Sequence, residues 1–195
     1  MRFHYQGKFS GEPNDLPTGM HEPNAVAFKE IQDPKKLSLV ANGISILIAV
    51  VTLGIYFFYG GLKPFHPLGA ILSVVTLVPH EFLHALCFKE DVYMYNYLSK
   101  GMLFVMGPER MSKARFVFMS MFPNLVFGFI PFLLFLIKPS WTLLGTLGAI
   151  SIPMGAGDYY NVFNALTQMP KGAKTYLYGF HSYWFMPETK DHQKP

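Results

Sequence analysis

Leu37-Ser-Leu-Val-Ala-Asn-Gly-Ile-Ser-Ile-Leu-Ile-Ala-Val-Val-Thr-Leu-Gly-Ile-Tyr-Phe-Phe-Tyr-Gly-Gly-Leu62 runs for 26 residues without a charge. A bilayer core of ~30 Å is crossed by about 20 helical residues, so this run predicts a membrane span, ended by Lys63 and Pro64. Working outward, three more apolar stretches follow. Phe65 to Phe88 reads as a second span; its first part has no Asp, Glu, Lys or Arg, and its second part holds His80, Glu81 and His84. Phe116 to Ile137 is a third, with Pro123 and Pro131 predicted to kink it. The fourth opens at Trp141, an interfacial residue type, and Asp158 is the one charge between Pro139 and Pro170.

The remainder of the 195 residues fits this picture. The chain is 51% hydrophobic and 14% charged, against roughly 25% charged residues in ordinary soluble domains. That balance excludes intrinsic disorder, a disulfide-stapled secreted domain and a coiled coil. One cysteine, Cys87, permits no internal disulfide. Residues 1–36 form a polar stretch rich in Pro, Gly and Asn, expected to be a partly ordered tail without a cleavable signal. Residues 37–170 are the expected four-helix transmembrane core, and 171–195 a basic, aromatic tail. Between the second and third spans, Asp91-Val-Tyr-Met-Tyr-Asn-Tyr-Leu98 alternates, Ser99-Lys100-Gly101 is a turn signal, and Met102 to Met106 is a short apolar run. This predicts a β-hairpin at the membrane surface. The expected fold is thus an all-α polytopic membrane protein with four transmembrane helices and a small interfacial β-hairpin between helices two and three.

The chemistry concentrates in His80-Glu81-Phe82-Leu83-His84. On a helix, residues i and i+4 share a face, so the two imidazoles can grip one Zn²⁺ while Glu81 takes a proton from attacking water. Of the 12 acidic residues, only Glu81 and Asp158 fall inside apolar spans, where a carboxylate costs at least ~2.5 kcal/mol unless it pairs or binds a metal. A catalytic zinc site uses three protein ligands and an open position, and His80, His84 and Asp158 make three. Pro153-Met-Gly-Ala-Gly157 should break the helix just before Asp158. The bland alternatives are a polar helix–helix pair at His80 and Glu81, and a capping role for Asp158. Cys87 lies near the same face, but a buried helical Cys is more often a small apolar packer. Asn124 either hydrogen-bonds a substrate carbonyl or bridges helices. Tyr95 and Tyr97, on the hairpin, are candidate substrate contacts. His181 and Trp184 read as an aromatic interfacial segment.

With these residues in view, the chain resembles intramembrane zinc metalloproteases. H-E-x-x-H on one span, an intervening span and an Asp on the next is similar to the site-2 protease core. The likeness to the zincin-peptidase family of small bacterial membrane proteins runs further, from the H-E-x-x-H helix through Arg115-Phe-Val-Phe-Met-Ser-Met-Phe-Pro123 to Gly155-Ala-Gly-Asp158. It covers about two-thirds of the chain. Site-2 proteases set their Asp in Asn-Pro-Asp-Gly, whereas here it stands in Gly157-Asp158-Tyr159-Tyr160. The resemblance implies zinc on His80, His84 and Asp158, Glu81 as general base, and a bacterial cell membrane as the location.

The expected function is zinc-dependent hydrolysis of a peptide bond within or beside the membrane. The partners are then the lipid bilayer and a membrane-protein or peptide substrate, with no nucleic acid. A proteolytically silent zinc scaffold is disfavoured by the intact Glu81. A metal transporter is disfavoured by polar groups gathered at one depth. Four spans would put both termini on one side with 14 of the 16 Lys and Arg, and the positive-inside rule makes that side cytoplasmic. Counted from the outer boundary, His80, His84 and Asp158 then lie roughly 22–29 Å deep.

Overall fold

The computed structural model describes residues 1–12, 15–61, 65–98, 102–179 and 181–188. Its elements, in chain order, are β1 (Arg2–Lys8), β2 (Val26–Ala27), α1 (Pro34–Gly60), α2 (Pro67–Val75), α3 (Leu77–Leu86), β3 (Asp91–Tyr97), β4 (Met102–Met106), β5 (Met111–Ser112), α4 (Lys113–Asn124), α5 (Ile130–Ile137), α6 (Thr142–Met154), α7 (Ala156–Gln168), β6 (Lys174–Tyr178) and β7 (His181–Phe185). A π-helical stretch, Leu125–Phe129, joins α4 to α5.

The all-α expectation with four transmembrane helices is overturned. Two sheets are present, one ordered β1-β3-β4 and one ordered β2-β7-β6-β5. The hairpin expected between the second and third spans is part of the first sheet: β3 and β4 pair antiparallel from Tyr93↔Met106 to Tyr97↔Met102. Its turn, Ser99 to Gly101, lies outside the described residues. β1 adds in parallel to β3, from Arg2↔Asp91 to Lys8↔Asn96, with an irregularity between Tyr5 and Gly7. Gly7 has φ 77°, which a residue bearing Cβ adopts only with strain. The segment expected to be a partly ordered tail therefore supplies β1 and β2 and buries Phe9, Leu16 and Phe28. The C-terminal aromatic segment is β6 and β7, paired from Lys174↔Phe185 to Tyr178↔His181.

Among the described residues, two helical stretches are long and apolar enough to cross a membrane, Lys35–Gly60 and Lys113–Ile137. A third counts if α2 and α3, bent by 44°, are taken as one span. The bend follows from Pro79. A proline has no N–H and its ring crowds the carbonyl four residues back, which here belongs to Val75, the last residue of α2. α6, 13 residues long, spans about 20 Å at 1.5 Å per residue, short of the hydrocarbon core. It ends at the Pro153–Gly155 break, and α7 begins again at Ala156.

The helices pack around a small aromatic core in which Tyr56 stacks on Phe135 with ring centroids 4.8 Å apart, joined by Phe132, Ala149 and Ile152. α1 is capped by Asp33, whose side chain accepts from the Lys35 amide at 2.8 Å, and Thr52 ties it to α6 by donating to the Ala149 carbonyl at 3.1 Å. That carbonyl is free because Pro153, four residues on, has no N–H to return to it. β2 precedes α1, β3 follows α3, β5 runs into α4 and β6 follows α7, so four helix ends open onto the sheets.

Candidate metal centre

Helix α3 carries His80, Glu81 and His84, and α7 carries Asp158 in its first turn. The ligand atoms of His80, Glu81 and His84 lie within 4.8 Å of one another. The two imidazoles face each other, Nε2 to Nε2, at 3.1 Å. Asp158 closes the group from across the bundle. Its Oδ2 is 3.2 Å from His80 Nε2 and its Oδ1 is 3.3 Å from His84 Nε2. His84 is buried, and His80, Glu81 and Asp158 are half-buried.

The neighbouring groups decide how these side chains point. His84 Nδ1 lies 2.9 Å from the Met119 carbonyl, an acceptor, so Nδ1 carries the proton and Nε2 presents its lone pair inward. Met119 is four residues before Pro123. In an unbroken helix its carbonyl would accept from residue 123, but proline has no N–H, so the acceptor is left for His84. Asn124 is buried and donates from Nδ2 to Asp158 Oδ2 at 2.7 Å and to the Ser120 carbonyl at 3.3 Å. The Tyr159 hydroxyl sits beside it, 2.8 Å from the Ile152 carbonyl and 3.3 Å from Asn124 Oδ1. Glu81 is turned towards the hairpin, where its Oε2 accepts the Val105 amide of β4 at 3.0 Å.

Two imidazole nitrogens and a carboxylate suit zinc chemically. Donors on a tetrahedron with bonds of about 2.0–2.1 Å are roughly 3.3 Å apart; the two Nε2 atoms are 3.1 Å apart, and each is near that distance from one oxygen of the Asp158 carboxylate, His80 from Oδ2 at 3.2 Å and His84 from Oδ1 at 3.3 Å. The residues present fit the metal.

The end of α3 is anchored to the start of α4. Arg115 pairs with Glu109 and donates from Nε to the Cys87 carbonyl at 2.9 Å. Glu109, buried, also accepts the Lys89 and Glu90 amides at 2.6 and 3.0 Å. Burial pushes the Glu109 carboxyl up, but the Arg115 bond and the two amides outweigh it and hold it below the usual glutamate range. This knot fixes the turn where α3 hands over to β3.

The candidates read from the sequence divide. His80, Glu81, His84, Asp158 and Asn124 come together. Tyr95 and Tyr97 do not. Both pack edge-on against Phe9, and Tyr95 stacks on Phe104 and donates to the Asp15 carbonyl. They belong to the cluster with Phe9 and Leu16, while Val92 and Val105 belong to the cluster beside α3 and α4. Alternate residues of a strand face opposite ways, so Tyr95 and Tyr97, expected as substrate contacts, stand on the face of the sheet turned from Val92 and Val105 and make packing contacts there. Cys87 Sγ is turned to the Leu83 carbonyl at 3.5 Å. Met119, Pro123, Gly155 and Tyr159 were not read as site residues; the available signal was Pro123, four residues after Met119.

Residues 73–174 match the sequence model of a family described as "Putative zincin peptidase". That is just over half of the chain. The protein belongs to this family. The match opens just before the H-E-x-x-H helix and closes at the first residue of β6, so it encloses every residue of the centre. No curated protein and no solved structure matches the chain. Membership of a zincin family points to zinc-dependent peptidase activity.

Proposed function

We propose that the protein hydrolyses peptide bonds at or within the membrane, with zinc held by His80, His84 and Asp158 and with Glu81 as general base. The observation that carries this reading is the donor set itself: two inward-pointing Nε2 atoms and a carboxylate at separations that suit one zinc ion. Bound there, zinc supplies Lewis acidity to water and to the scissile carbonyl. Glu81 takes the proton of the attacking water and passes it to the leaving amine. One of its oxygens is held by the Val105 amide, which leaves the other to face the water.

β4 is the outer strand of its sheet, and the Val105 amide on its free edge reaches the catalytic helix. A substrate unwound into an extended strand can add to that edge, with the backbone groups of Leu103, which share its parity, as pairing partners. The unwinding is required because a helix hides its carbonyls in its own hydrogen bonds. The stretches of sequence that carry the strands, 1–36, 89–115 and 171–195, hold 14 of the 16 Lys and Arg. This supports a cytoplasmic position for the sheets, both termini and the centre.

The test is purified protein in detergent or liposomes, loaded with zinc and offered a panel of membrane peptides. Glu81→Gln should keep stoichiometric zinc and lose cleavage by at least 10²-fold. Undiminished cleavage by zinc-loaded Glu81→Gln would overturn the mechanism.

A further inference from the structure

The shortest polar contact to Asp158 comes from neither histidine. Asn124 Nδ2 stands 2.7 Å from Oδ2, closer than His80 at 3.2 Å or His84 at 3.3 Å. Both acceptors around Nδ2, Asp158 Oδ2 and the Ser120 carbonyl, fix which end of the amide is the donor. Asn124 is only 2% exposed, so its amide has no water to turn to. The opposite helix makes room for it. A Cβ on Gly155 would stand 1.9 Å from Asn124 Oδ1 and 2.6 Å from Cγ, so only glycine leaves space for this side chain.

We propose that Asn124 is the positioning residue of Asp158, admitted to its place by Gly155, and that it acts on the metal through Asp158 rather than on substrate. This rests on the reading of His80, His84 and Asp158 as zinc ligands. Three features of the geometry require both residues together. The Asn124 amide holds Oδ2, which keeps the carboxylate plane facing the two imidazoles. Gly155 lies just past the break after Pro153, so it can approach α4 closely while α7 starts afresh and presents Asp158 in its first turn. Tyr159, next in sequence to Asp158, closes over the Asn124 carbonyl oxygen at 3.3 Å. Neither Asn124 nor Gly155 donates an atom to the metal, yet each substitution changes how Asp158 is aimed.

The test is zinc affinity, read by competition with a chromophoric chelator in detergent-solubilised full chain, alongside the absorption spectrum of the cobalt-substituted protein. Loss of a hydrogen-bond partner to a metal ligand typically weakens metal binding 10–100-fold. Asn124→Ala and Asn124→Asp should each fall in that range; the second keeps the shape and replaces the donor with an acceptor. Gly155→Ala should weaken zinc similarly, by pushing the amide off Asp158. In the double variant Asn124→Ala/Gly155→Ala, the added methyl meets no amide, so affinity should equal that of Asn124→Ala alone. The cobalt spectrum should change in each single variant. Additive losses in the double variant, or wild-type affinity and spectrum in both Asn124→Ala and Asn124→Asp, would overturn the proposal while leaving the zinc site standing. A wild-type protein that binds no zinc would overturn the ligand reading itself, and this inference with it. Where a variant does not fold, Asn124→Asp and Gly155→Ala each decide the question independently.

Discussion

The two long apolar helical stretches have nearly the same mean hydropathy, 2.2 for Lys35–Gly60 and 2.0 for Lys113–Ile137, but opposite lodgings. Of the most apolar window, 6% is buried in the first and 39% in the second. α1 turns Ile46, Leu47, Val50 and Phe58 outward and holds the bundle through Thr52 and Tyr56. The α4–α5 stretch buries Ser120, Pro123, Asn124, Gly128, Pro131 and Phe135. Hydropathy measures the solvent a helix tolerates. The polar, proline and small residues it carries tell what it does inside the bundle, because each leaves a backbone or side-chain group that a neighbour must satisfy.

The sharpest way to break this contrast is to truncate one Phe on each helix. Phe135 is fully buried and Phe58 is 82% exposed. Phe135→Ala should cost about 3–5 kcal/mol of stability, the usual loss for a core Phe, whereas Phe58→Ala should cost at most about 0.5 kcal/mol. Reversible denaturation in detergent measures both, and equal losses would dissolve the distinction between the two helices.

The next effect is at the helix starts. α1 begins on an exposed cap, Asp33, while α4 begins on its cap Ser112, which accepts the Arg115 amide, and on the pairing of Arg115 with Glu109. Glu109→Gln should cost about 2 kcal/mol, in the range for bonds to a charged group. Its pH dependence follows from the depressed carboxyl. The stabilisation is complete above the ordinary glutamate value and disappears as pH falls through the lower folded-state value. Acid titration of stability should therefore show a loss in the wild type that Glu109→Gln lacks. Parallel curves for the two proteins would refute the pairing.

Pro123→Ala restores a backbone donor to compete with His84 for the Met119 carbonyl. Zinc affinity should drop up to about 10-fold, the lower bound for a lost partner of a ligand histidine. Thr52→Val, which alters the Ala149 carbonyl on α6 instead, should leave zinc affinity alone. A reversed pattern would show that Met119 does not orient His84. The smallest effect belongs to α1: Thr52→Val removes a hydrogen bond to α6 and should cost about 0.6 kcal/mol, the average for such bonds between membrane helices. A cost matching that of Phe135→Ala would mean that α1 is held by more than its aromatic contact.

How much of this was legible in the sequence depends on the range of the interaction. His80, Glu81 and His84 are local, five residues on one helix face, and could be read directly. Asp158 could be found because a lone carboxylate in a long apolar stretch needs a partner, and the break before it was announced by Pro153, Gly155 and Gly157. Of the sheets, the β3–β4 hairpin could be read and the rest could not. β1 has a polar, mildly alternating sequence that becomes a strand only beside β3, 89 positions away at Arg2 and Asp91. Tyr95 and Tyr97 alternate as a strand should, but alternation does not say which face of the sheet meets α3, and the face with Val92 and Val105 is the one that does. The prolines were read as kinks. Their further effect, carbonyls released to His84 and Thr52, depends on what stands opposite, which no local pattern contains.

The pairing of the chain's two ends within one sheet also sets an order on its biosynthesis. Glu30 receives the Ser182 amide, 152 positions away, and β2 has no strand partner until β7 exists. A ribosome delivers α1, α3 and α7, with every candidate zinc ligand, before β7 emerges. Until then β1 can already pair with β3, but β2 and the segment around Glu30 wait unpaired, exposed to chaperones and proteases. Closure of the β2–β7 seam is a late event in maturation, and a ribosome-stalled chain ending before His181 should be protease-sensitive near Val26 even though its histidines and Asp158 are all present.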